Sequence, residues 1–134
     1  MTNLPKTMKA MVLMGHGDLD AYEWREDWPT PQPNNYEVVI KVGACGLNNT
    51  DVNTRTGWYS KAVDEATTGD AYQEVDDKDP TWGGRPLTFP RIQGADTVGT
   101  VVAVGPEADP TLMGHRVMID GWQRDWNHPD NKDK

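Results

Sequence analysis

A mainly β fold, a barrel or sandwich of short strands with one or two short helices, is predicted by three features of this 134-residue chain. Apolar residues alternate with period two in two separate stretches, Gly and Pro clusters cut the chain into short pieces, and helical patterning is confined to one brief segment.

The elements follow in order. Residues 9–14 form a short apolar run ending at Gly15-His16-Gly17, which reads as a strand and a turn. Residues 24–35 carry Pro29, Pro31 and Pro33, whose fixed backbone excludes a helix interior and implies an extended surface connection. Residues 36–42 set Tyr36, Val38, Ile40 and Val42 on one face against Glu37, Val39 and Lys41 on the other, a strand with one face buried. Residues 50–56 hold the best helical signal, with Asn49 or Thr50 able to cap it and Gly57 able to end it. Residues 98–104 repeat the strand pattern, with Val98, Thr100, Val102 and Val104 facing one way and Gly99, Val101 and Ala103 the other. Residues 116–120 form a further short β candidate.

Between these elements lies a segment of different character. Residues 60–81, SKAVDEATTGDAYQEVDDKDPT, hold seven acidic residues and two lysines among few large apolar side chains, and read as an inserted, solvated loop. A lid is the sharper alternative. A calcium loop through Asp76, Asp77 and Asp79 lacks the spacing of a known cage. Trp82-Gly83-Gly84-Arg85-Pro86 closes the insertion as a turn, since no helix follows to cradle a phosphate.

Length and charge limit the function classes. The chain suffices for one modest domain, residues 1–134. Its 13 Lys plus Arg against 21 Asp plus Glu give a net charge of −8, which repels phosphate backbones and anionic lipid, so neither nucleic acid nor a membrane surface is an expected partner. A single cysteine, Cys45, allows no internal disulfide and no four-cysteine zinc site, and is consistent with a cytoplasmic location. The N-terminal apolar run is too short for a signal sequence or a spanning helix.

Most catalytic motifs are absent. Gly15-His16-Gly17-Asp18-Leu19-Asp20 has two glycines of a dinucleotide fingerprint but not the third, so no Rossmann unit is expected within the chain. No Gly-x-Ser-x-Gly, His-Glu-x-x-His or Cys-x-x-Cys occurs, and His16, His115 and His128 are far apart. The stretch CGLNNTDVNTRTGWY at residues 45–59 stands out, with amides, hydroxyls, a carboxylate, a guanidinium and two aromatics directly behind an apolar run. It reads as a site rim or as a polar turn capped by glycine.

Two longer motifs, YEVVIKVGACGLNNTD at residues 36–51 and FPRIQGADTVGTVVAVG at residues 89–105, resemble the medium-chain dehydrogenase/reductase superfamily. In particular they resemble the GroES-like N-terminal catalytic domain of zinc-type alcohol dehydrogenases and quinone oxidoreductases. The resemblance implies a GroES-like, partly open β-barrel and covers nearly the whole chain outside the acidic insertion. Zinc-dependent members carry a cysteine three positions before the aspartate of the first motif and a Gly-His-Glu triplet in the second. Here those positions are Asn48, three before Asp51, and Ala95 within Gly94-Ala95-Asp96. Alanine has no donor atom and a neutral amide is a poor zinc ligand, so no metal site is expected, and the pattern resembles the zinc-independent quinone oxidoreductase branch.

The resemblance further implies roles. Asn48 becomes a cofactor and substrate contact, with a backbone-satisfying turn residue as the alternative. Tyr59 becomes a catalytic proton donor or orienting group, with packing at the barrel mouth as the alternative. Asp51 and Arg55 support the site, Asp51 by capping or bracing the short helix. Asp96 and Cys45 are expected to be structural, the cysteine small and buried. The implied reaction is NADPH- or NADH-dependent hydride transfer to a small-molecule quinone or α,β-unsaturated carbonyl. The nucleotide would be bound mainly by a Rossmann domain absent from this chain, which makes the chain an expected fragment, inactive alone and homo-oligomeric only at full length. Two rivals stand beside it: a zinc alcohol dehydrogenase with rearranged ligands from Cys45, Asp96 and a histidine, and a non-catalytic barrel whose acidic insertion meets a basic partner.

Overall fold

The structure, a computed structural model, describes residues 4–60 and 87–121. The acidic insertion beyond Ser60, the turn at 82–86, and residues 122–134, with Trp122, Trp126 and His128, lie outside the described residues. The architecture is mainly β, with five strands, one α-helix and two short 3-10 helices, and neither sheet is closed among the described residues. The chain divides into two compact units, one built from residues 1–32 and 47–94, the other from 33–46 and 95–134.

In the first unit, β1 (Thr7–Leu13) pairs antiparallel with β2 (Tyr22–Pro29), Met11 opposite Trp24 and Leu13 opposite Tyr22. Alternation along β1 buries Ala10 and Val12 and exposes Lys9 and Met11, and Leu13 is also fully buried. Covering side chains such as Val12 and Leu13 completely is worth about 1.5–3 kcal/mol each before entropy is counted. Leu13 also exchanges backbone hydrogen bonds with Arg91, at 2.8 and 2.9 Å, which brings the 89–94 segment to the end of β1.

Strand β2 corrects the sequence reading, which made residues 24–35 a surface connection. Extended backbone is equally the backbone of a strand, and Pro29 is tolerated because it is the last residue of β2, where the lost donor costs least. Its outward face carries Arg25 between Glu23 and Asp27, at 3.3 and 2.9 Å.

The same unit holds α1 (Asn49–Thr56). Its N-cap is Asn48, one residue earlier than the earlier of the two expected caps, because Asn48 sits three residues before Asp51 and the two close a reciprocal capping box. Gly57 ends the helix at φ 75°, a left-handed conformation that glycine adopts without strain.

The second unit is a three-stranded antiparallel sheet in the order β3 (Val38–Cys45), β4 (Thr97–Val104), β5 (Arg116–Met118). The buried face of β4 is the one carrying Val101 and Ala103. Gly99 is required on that strand, since a Cβ there would collide with the Lys41 carbonyl and the Ile40 side chain. Gly105 is required likewise by the Asn34 and Asn35 carbonyls.

The expected one-sided burial of residues 36–42 is not observed. Val38, Val39 and Ile40 are all half-buried, while Tyr36 and Val42 are exposed. The cause is two register shifts, between Val39 and Ile40 and between Val42 and Ala44, which turn successive side chains off one face.

Candidate functional site

The CGLNNTDVNTRTGWY stretch begins at the end of β3 and carries through α1. At its centre, Asn48 has extended backbone, and its Oδ1 accepts the Thr50 amide at 3.1 Å and also the Thr50 hydroxyl. Asp51 Oδ2 accepts the Asn48 amide at 3.0 Å. A cap of this kind satisfies backbone donors that the first helical turn otherwise leaves open, and contributes about 1 kcal/mol. Asn48 is exposed and Asp51 is buried.

Arg55 lies at the other end of the helix and is only 3% exposed. Its Nη1 donates to the Gly17 carbonyl at 2.8 Å and to Asp18 Oδ1 at 3.2 Å. Arg55 thus clips the glycine turn after β1 to α1. His16 adds a second tie there, its Nδ1 lying 3.0 Å from the Thr54 carbonyl and its ring edge-on to Phe89.

Two residues of this region were not singled out from sequence. Gln93 Nε2 donates to the Tyr22 hydroxyl and to the Asp51 carbonyl, each at 3.0 Å. Partial burial raises the Tyr22 phenol above its ordinary value, against the opposing field of Arg55 and the Gln93 hydrogen bond and with a smaller contribution from Asp51. Their partners are distant in sequence, so no local spacing marks them; only the position of Gln93 inside the FPRIQGAD motif is a hint.

Of the residues predicted from sequence, Asn48 and Asp51 are joined by a direct hydrogen bond. Arg55 reaches Gly17 and Asp18. Tyr59, half-buried just beyond the helix, packs edge-on against Trp58 with ring centroids 5.4 Å apart.

In the second unit, Cys45, Asp96, Met118 and Ile119 contribute to a shallow concavity of about 290 Å³. Cys45 is exposed, which corrects the expectation of a small buried residue: it is the last residue of β3, opposite Thr97, on the open rim of that concavity. Gly46 donates its amide to the Asp96 carbonyl at 2.8 Å.

At the two positions that the resemblance matches to zinc ligands stand an alanine and an asparagine. Ala95 offers no ligand atom, and the Asn48 carbonyl oxygen is engaged as a helix cap. Among the described residues, no group of three or more His, Cys, Asp or Glu side chains is arranged to hold a metal ion. Nor do the described residues supply a dinucleotide cradle at Gly15-His16-Gly17: a 3-10 turn at Leu19–Ala21 and strand β2 follow it where a phosphate-binding helix would be needed. None of the described helices is long and apolar enough to cross a membrane.

Residues 34–132 match the alcohol dehydrogenase GroES-like domain. The chain belongs to that family. The GroES-like domain is 30% identical over 113 residues to human quinone oxidoreductase, a match covering 84% of this chain and 27% of that protein. It is 30% identical over 115 residues to the chloroplastic NADPH-dependent alkenal/one oxidoreductase of Arabidopsis thaliana, covering 86% of this chain and 24% of the relative. Among solved structures, a candidate alcohol dehydrogenase from Sinorhizobium meliloti 1021 superposes with a TM-score of 0.70 and 48% identity, over 87% of this chain and 30% of that one. The GroES-like domain therefore spans about a quarter of the length of these curated relatives.

Proposed function

We propose that the chain is the substrate-side domain of an NAD(P)H-dependent oxidoreductase that reduces quinones or α,β-unsaturated carbonyls without zinc. The observation that carries this reading is the state of Asn48. It occupies the position where zinc-type members have a cysteine ligand, and its carbonyl oxygen already caps α1 through Thr50. With that oxygen accepting from Thr50, the chemistry left to the side chain is that of an amide nitrogen, which donates, and not that of an oxygen offered to a metal. Kinship with a quinone oxidoreductase and an alkenal/one oxidoreductase supports the substrate class.

Bound NAD(P)H would supply a hydride to the β-carbon of the enone, or to the quinone ring. Negative charge then builds on the carbonyl oxygen, where the amide of Asn48 would donate a hydrogen bond. One such donor, held in place before the reaction, is typically worth about 10²–10³ in kcat. Tyr59, whose ring packs edge-on against Trp58, would deliver the proton that completes the reduction. Asp51 and Arg55 would act indirectly, Asp51 by fixing Asn48 and Arg55 by fixing the end of α1. The nucleotide would be held mainly outside this chain.

The test uses the full-length protein containing this domain. NADPH and NADH oxidation is followed with a simple quinone and with a short-chain enone, before and after metal stripping. Turnover that survives stripping supports the proposal; a protein that ignores both cofactors, or needs added zinc, removes it.

A further inference from the structure

Within the first unit, Gln93 joins β2 to the first turn of α1. A primary amide nitrogen carries two hydrogens, and both are accounted for: one reaches the Tyr22 hydroxyl on β2, the other the Asp51 carbonyl on α1. The Asp51 carbonyl can only accept, which fixes the amide orientation. Gln93 Oε1 is buried without a partner among the described residues, so the amide contributes through its nitrogen. Asp51 in turn holds the Asn48 backbone amide with its side chain, and Asn48 holds Thr50. A continuous set of hydrogen bonds therefore runs from Tyr22 through Gln93 and Asp51 to Asn48.

We propose that Gln93 is a positioning residue: it anchors the first turn of α1 to β2 and so fixes the direction of the Asn48 amide. The catalytic consequence rests on the functional reading given above; the anchoring itself does not. Gly94 follows at φ 112°, a left-handed backbone conformation that glycine adopts without strain. Tyr22 is the supporting member, since its loss leaves the Gln93 bond to Asp51 in place.

The test compares Gln93→Leu, Gln93→Glu and Tyr22→Phe in the full-length protein. Hydrogen exchange at the Asn48 and Thr50 amides reports anchoring without reference to activity. On the order of tenfold faster exchange is expected in either Gln93 variant and a smaller rise in Tyr22→Phe, with the Val101 amide unchanged. In turnover, Gln93→Glu is expected to lower kcat on the order of tenfold, and to add no further loss in an Asn48→Ala background, because the two act on one element. Unchanged exchange at Asn48 and Thr50 overturns the proposal, as does a loss that multiplies fully with that of Asn48→Ala. If the wild-type protein turns over neither substrate class, the functional reading fails, and exchange alone decides whether Gln93 holds the cap. Should Gln93→Leu fail to fold, the isosteric Gln93→Glu and the milder Tyr22→Phe carry the same comparison.

Discussion

Asn48 and Asp51 cap one another: the Asp51 carboxylate accepts the Asn48 backbone amide at 3.0 Å, while Asn48 is the N-cap residue of the helix that Asp51 helps begin. This reciprocity lets stability and chemistry be separated at one position. Aspartate caps as well as asparagine does but has no amide to donate. Asn48→Asp is therefore expected to unfold within a few tenths of a kcal/mol of wild type, whereas Asn48→Ala loses about 1 kcal/mol in urea titration. Both are expected to lose about 10²-fold in kcat. Equal activity in Asn48→Asp and wild type would remove the amide from the mechanism.

Arg55 and Asp18 should respond unequally to truncation. The arginine is almost fully buried, while the side chain of Asp18 is 63% exposed, so their ion pair is screened and the bond to the Gly17 carbonyl matters more. Arg55→Ala is expected to cost about 2–4 kcal/mol, since it also orphans a buried carbonyl and leaves a void. Asp18→Ala is expected to cost about 1 kcal/mol or less, mostly as the lost cap of the following 3-10 turn. Denaturant unfolding of the two variants checks the asymmetry; equal losses would mean that the ion pair dominates.

The close approach of β4 to β3 makes a third prediction. Gly99→Ala would drive a methyl group into the Lys41 carbonyl, where backbone cannot easily yield, and is expected to cost about 1–3 kcal/mol or more. Gly15→Ala meets nothing within 4 Å and is expected to be neutral within about 0.5 kcal/mol. Thermal unfolding of the pair in parallel tests whether the β3–β4 register is as described.

Alkaline titration tests the surroundings of Tyr22. Its folded value is raised, chiefly by burial, so the folded state holds the phenolic proton more tightly than the unfolded chain does. The resulting stability is fully present below the ordinary value of 10.0 and is lost as pH rises through the raised folded value. Stability of the wild type is accordingly expected to fall more steeply above about pH 10 than that of Tyr22→Phe. Identical alkaline limbs in the two proteins would contradict the burial described.

Much of this was written locally in the sequence. Strand β4 follows from alternation, β1 from a short apolar run stopped at Gly15-His16-Gly17, and α1 from a capping residue at one end and Gly57 at the other. The cap itself was legible as Asn48-x-x-Asp51, but two adjacent asparagines and a threonine all have suitable side chains, and only the spacing to Asp51 separates them. Strand β2 was obscured because three prolines at alternating positions suit a connection as well as a strand end, and its partner β1 is set by pairing, not by local preference. The broken alternation of β3 had one signal, Gly43, which falls at the second register shift. Gln93 and Tyr22 were not legible, since a residue acting across 71 positions leaves no periodic trace.

The most direct test of the central claim is steady-state turnover of the metal-stripped full-length protein with NADPH and a quinone, measured with and without added zinc. Undiminished activity after stripping, unaffected by zinc and lost on Asn48→Ala, is the expected result. Activity that disappears on stripping and returns with stoichiometric zinc would contradict it.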